Sequence, residues 1–205
     1  MPNALLTKEI ESLKVLLDHE GYNYQDGAET ELLSSIADEI PLPLIYQDFL
    51  SEIDPGDGLW RIGGQISIQL HSAASLGEFQ DDAHDNHQFV IGSFNDHPLV
   101  LQRNEGLDAE TAVYRFDEDD EEICLASSFI QFLRIVRAGL QMLKSLENFD
   151  DEGDAYEEFS EDSFDDINDF EEDSFEEGRD DVLNSFLEEI ESIDEPECAR
   201  AWLPA

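Results

Sequence analysis

The sequence predicts an α+β fold: an antiparallel-rich mixed sheet of about five to six strands flanked by helices. Apolar residues first recur at helical spacing, then alternate with polar ones through mostly hairpin-connected runs, then return to helical spacing in one long closing stretch. The alternation is too clean for a parallel sheet buried on both faces. A disordered acidic tail carrying a short C-terminal amphipathic helix is expected to follow.

The elements read in order. Leu5, Leu6, Ile10, Leu13, Leu16 and Leu17 predict a helix over about 4–19, with Asn3 as cap and Gly21 as stop. A Tyr/Asn/Gly-containing loop comes next. Leu32, Leu33 and Ile36 mark a second helix over about 29–39, which Pro41 and Pro43 break. Pro43 suits the first turn of a third helix bearing Ile45, Tyr46, Phe49 and Leu50. The stretch Asp54-Pro55-Gly56-Asp57-Gly58 is a turn by composition. Trp60 and Ile62, then Ile66, Ile68 and Leu70, alternate across Gly63-Gly64 as a hairpin. After a short helix near 73–79, strands are expected at Phe89–Ser93, Leu99–Arg103 and Ala112–Phe116, with turns at Asn95-Asp96 and Asn104-Glu105-Gly106. A last short strand covers 123–126. Ser127 is expected to cap a helix through about residue 146, striped by Phe129, Ile130, Leu133, Val136, Leu140 and Leu143. The predicted domain is therefore 1–146.

Beyond it, residues 147–179 form an acidic low-complexity segment. Phe159-Ser160-Glu161-Asp162-Ser163-Phe164 recurs as Phe170-Glu171-Glu172-Asp173-Ser174-Phe175. Self-repulsion and scarce aliphatic residues predict disorder. In 180–205, Val182, Leu183, Phe186, Leu187, Ile190 and Ile193 give a helix over about 181–193, capped by Asp180 or Asp181. Its apolar face must dock on the domain or on another protein.

The net charge of −42 at pH 7 excludes whole classes of function. Phosphate backbones and anionic membranes are held by Lys and Arg, so no nucleic acid and no membrane surface is expected as a partner. Residues 1–146 hold 27 acids and 8 bases, whereas 147–197 hold 25 acids and one base. Acids in that segment fall about every second residue. Extended, they stand ~6 Å apart; coiled into a helix they stand ~3 Å apart, near the spacing along one DNA strand. A basic partner that offsets the repulsion could therefore induce nucleic-acid-like charge spacing. With no membrane-length apolar run, no visible secretory signal and two cysteines that form no framework, a cytoplasmic location is expected. Cys124, within Ile123-Cys124-Leu125-Ala126, reads as a small buried hydrophobe.

No catalytic constellation stands out, and no enzyme, cofactor or metal is expected. His84-Asp85-Asn86-His87, behind Asp81 and Asp82, has metal-ligand chemistry, but it lacks further ligands at usual spacing and reads as a polar loop. Asp117-Glu118-Asp119-Asp120-Glu121-Glu122 lacks the Gly of a calcium loop and reads as a solvated turn, or as a negative rim for a cationic partner. Ser127 and Ser128 are explained by capping, and there is no nucleophile elbow or phosphate loop.

Several segments resemble one family. Ile40-Pro41-Leu42-Pro43-Leu44-Ile45-Tyr46-Gln47-Asp48-Phe49-Leu50, running on to Asp57-Gly58-Leu59-Trp60, resembles the opening of the SUKH superfamily of Smi/Knr-like proteins. Phe89-Val90-Ile91-Gly92-Ser93, Pro98-Leu99-Val100-Leu101 and Val113-Tyr114-Arg115-Phe116-Asp117 are similar to its middle strands. The run from Ile123 through Ser127, Ser128 and Phe129 to Leu133 is similar to its closing strand and helix. The resemblance spans about 29–146. It departs at Asn95-Asp96-His97, where members often carry a Gly-Asp pair. It implies a non-enzymatic interaction domain: a bacterial immunity protein that binds a toxin, often a nuclease, or a regulator of fungal cell-wall assembly with a disordered arm. Candidate contacts to a basic partner are Asp57, Trp60, Asp117, Asp119 and Asp120, with Phe159, Phe164, Phe170 and Phe175 filling apolar pockets. Trp60 is weighed there against a plain core role.

Overall fold

A computed structural model describes residues 3–40, 42–56, 58–62, 66–82, 88–102, 111–116, 121–153 and 184–202. Helix α1 (Ala4–His19) starts where expected, because the Asn3 side chain accepts from the amides of Leu5 and Leu6. It ends in a Schellman turn. Gly21 takes φ +69°, its amide donates to the Asp18 carbonyl, and the Tyr22 amide reaches Leu17 O at 2.9 Å. Two further helices follow, α2 (Thr30–Glu39) and α3 (Leu44–Glu52). Ile45, Tyr46, Phe49 and Leu50 are all buried, as the helical spacing requires.

The main sheet is a meander of six strands in sequence order: β3 (Leu59–Ile62), β4 (Ile66–Leu70), β5 (Gln88–Phe94), β6 (His97–Gln102), β7 (Val113–Phe116) and β8 (Glu122–Ala126). Every pairing is antiparallel, so the expected mixed character is absent among the described strands. The short β3–β4, β5–β6 and β7–β8 connections favour antiparallel neighbours. The β3–β4 hairpin pairs Trp60 with Ile68 and Ile62 with Ile66, which places all four on the inner face. At the β5–β6 turn, Asn95 and Asp96 both adopt positive φ, the geometry that matches strand twist in a two-residue hairpin. Gly92 sits at the β5 bulge, where a Cβ would collide with the Gln69 carbonyl.

Two short strands escaped the sequence. β1 (Gln25–Asp26), inside the supposed loop, pairs with β2 (Ile53–Asp54). Asp54 is thus the end of a strand as well as the start of a turn, and its buried carboxylate accepts from the amides of Gly56 and Ala73. The short helix expected near 73–79 is a 3₁₀ helix at Leu76–Asp82.

Helix α4 (Phe129–Gly153) packs on the inner face of the sheet and on α1. Gly139 permits the approach, since a Cβ there would strike Ile62. Two expectations are corrected here. The cap is Ser128, whose hydroxyl accepts from the Gln131 amide at 3.2 Å, while the Ser127 amide is held elsewhere. The helix also runs past residue 146 to Gly153, because a formed helix extends cheaply through good helix formers such as Leu146 and Glu147. The rest of the acidic segment lies outside the described residues.

Chain near the C-terminus is part of the core. Helix α5 (184–193) and α6 (Pro196–Arg200) dock on the domain, which resolves the choice left open by the amphipathic pattern. Phe186, Ile190, Cys198 and Trp202 are buried. The Trp202 ring meets Phe94 at 5.3 Å and Phe132 at 5.8 Å, beside the Tyr46, Phe49, Phe89 and Phe129 cluster. Side chains bond to the backbone at or beside each outer strand of the sheet. At β3, the Tyr22 hydroxyl donates to Arg61 O and accepts from Arg61 N. At β8, the Trp202 indole donates to Leu125 O at 2.8 Å, and Asp194 accepts from Ser127 N at 2.7 Å.

Candidate functional site

Trp60 does not belong to a binding surface. It is 0 % exposed, because the β3 alternation turns it inward beside Ile68. This corrects its candidacy as a partner contact and favours the core role. Its indole N–H has no acceptor among the described residues. Asp57, Asp117, Asp119 and Asp120 lie outside the described residues, as do Phe159, Phe164, Phe170 and Phe175. Residues 117–121 join two adjacent strands of the sheet, β7 and β8. His84, Asp85 and His87 also lie outside the described residues; among the described residues no group of three His, Cys, Asp or Glu side chains is placed to hold a metal ion.

The distribution of bases is the informative feature of the described surface. Glu9 of α1 is buried against α4, where Arg134 Nε bonds its Oε1 at 3.1 Å and Arg137 Nε stands 3.6 Å from its Oε2. One acid is thus flanked by two bases. Lys14 donates to the Glu52 carbonyl at 2.7 Å, at the C-terminal end of α3, and lies over the Tyr24 ring. There the lysine satisfies a carbonyl at the negative end of the helix. Arg115 lies over the Phe94 ring at 5.6 Å. Four of the chain's ten bases are therefore engaged inside the fold.

A second cluster was not anticipated. Cys124 on β8 faces Tyr114 across the β7–β8 register, and its Sγ lies 2.9 Å from Sγ of Cys198 in α6. Cys124 is half-buried and Cys198 is buried, so the expectation of Cys124 as a small buried hydrophobe is corrected. Burial raises both thiols above their ordinary value of 9.0 and, with the nearby Asp194 and Glu195 carboxylates, favours the protonated forms. Burial also raises Tyr114, with the neighbouring Cys124 and Glu122 adding to the effect. Nothing in the spacing of two cysteines 74 residues apart reveals this contact; only docking of the C-terminal segment creates it.

No helix among the described residues is long and apolar enough to cross a membrane. Compared with models of protein families and with curated proteins, the chain matches none of either.

Proposed function

We propose that this chain is a cytoplasmic binding protein that transforms no substrate: a SUKH-like immunity protein that covers a basic toxin of nuclease type. One observation carries the reading. Lys14, Arg115, Arg134 and Arg137 are engaged within the fold of a chain whose net charge is −42, which leaves the other six bases against a large excess of acids. Such an excess accelerates encounter with a cationic protein, while apolar contacts slow its release. Asp57, Asp117, Asp119 and Asp120 belong to the proposed acidic contact, and Phe159, Phe164, Phe170 and Phe175 to the apolar one.

The resemblance supports the same reading through order. A Leu-Pro helix, an aromatic residue opening the sheet, middle strands, a closing strand and a Ser-Phe helix correspond to α3, β3, β5 to β8 and α4. The test is co-expression of the full chain with basic toxin domains encoded beside it. Protected growth and a complex that survives about 0.15 M salt are expected. Absence of both, with the chain folded, overturns the proposal.

A further inference from the structure

We propose that Cys124 and Cys198 form a thiol–disulfide exchange site, which a small-molecule disulfide of the glutathione type closes into an intramolecular bond. The inference stands apart from the partner-binding reading and rests on different residues. The two sulfurs lie 2.9 Å apart, less than about 1 Å beyond the length of a disulfide bond. Bonds that do not involve sulfur already hold the two segments together: Trp202 to Leu125 O, Asp194 to Ser127 N, and Gln131 Nε2 to Ile193 O at 2.6 Å. Closure therefore needs side-chain adjustment and no change in how α6 is docked.

Exposure gives the two thiols different roles. Cys124, half-buried on an edge strand, meets the reagent; Cys198, buried behind it, resolves the intermediate. The Cys124 thiolate attacks one sulfur of the small disulfide, forming a mixed disulfide and releasing one small thiol. Cys198 loses its proton and attacks Cys124 Sγ, breaking the mixed bond and expelling the second small thiol. Two protein thiols and one disulfide thus become one protein disulfide and two small thiols, with no other oxidant. Because the surroundings keep both thiols protonated, the reaction is slow near neutrality and faster as pH rises.

The product closes a loop that includes the whole acidic segment. Both ends of that segment are then tied covalently to the domain, and α5 and α6 cannot leave the β8 edge.

The test treats the folded full chain with oxidised glutathione and follows its intact mass, free thiols and melting temperature. A monomer lighter by two hydrogen atoms is expected, with a Cys124–Cys198 cross-link in the unreduced digest. Its melting temperature should lie roughly 5–10 °C above that of the reduced chain. Cys198→Ser should stop at a glutathione adduct on Cys124, and Cys124→Ser should leave Cys198 unmodified. A persistent adduct on the unsubstituted chain, a disulfide-linked dimer, or thiols that react only after unfolding would overturn the proposal. The mass of the unsubstituted chain decides the question even if a variant fails to fold.

Discussion

Trp202 joins three parts of the molecule: its indole N–H closes the Leu125 carbonyl of β8, and its ring meets Phe94 of β5 and Phe132 of α4. Trp202→Ala should cost about 3–5 kcal/mol in urea unfolding, because it opens a cavity among aromatic rings and leaves an edge carbonyl without its donor. A loss below about 1 kcal/mol would mean that the C-terminal segment is not part of the core. A residue of this kind is hard to find from sequence. Trp202 belongs to no periodic run, and its hydrogen-bond partner is 77 positions away. Trp60 was easier to place, since strand alternation put it among Ile62, Ile68 and Leu70. The thiols make a second prediction at this scale. Folded Cys124 and Cys198 hold their protons more tightly than unfolded ones, so their contribution is complete below pH 9 and is lost as pH rises through the higher folded values. Under reducing conditions the urea midpoint should fall as pH rises above about 9, and fall less in Cys198→Ser. Equal slopes in the two proteins would contradict the burial assigned to this pair.

Among the elements, those with a period or a cap were legible. Asn3 and Gly21 bounded α1, the apolar spacing gave α3 and α4, and alternation gave the strands of the meander. β1 and β2 were not legible, because two residues are too few to carry a period and only their mutual pairing defines them. The end of α4 was misjudged for a different reason. Acidic composition suggested disorder, whereas cooperative propagation carries the helix on to Gly153. For α5 the amphipathic face was visible, but the surface that receives it was not. That surface forms only when the β8 edge and α4 come together. A chain ending at Gly153 would lose Phe186, Ile190 and Trp202 from the core, roughly 1.5–3 kcal/mol each, a sum comparable to the whole stability of an ordinary domain. Such a fragment should fail to melt cooperatively and should bind a dye that reports exposed apolar surface. A cooperative transition within about 5 °C of the full chain would show that α5 and α6 are accessory.

For the molecule as a whole, composition made the sign of the charge plain, and the fold added how the bases are used. Which residues meet a partner is the least legible part of the candidate site. Asp57, Asp117, Asp119, Asp120 and the four tail phenylalanines were chosen by charge and repetition, and neither property specifies a position in space. Burial then removed Trp60 from the set. Electrostatic steering nonetheless has a signature that does not depend on the contact map, because long-range attraction acts before docking and is screened by salt. The direct measurement is the association and dissociation rate of the full chain with a basic toxin domain encoded beside it, across a salt series. From about 0.05 M to about 0.5 M salt the association rate should fall at least about tenfold while dissociation changes little. No binding at about 0.15 M salt, or an association rate indifferent to salt, would contradict capture of a cationic partner by the acidic surface.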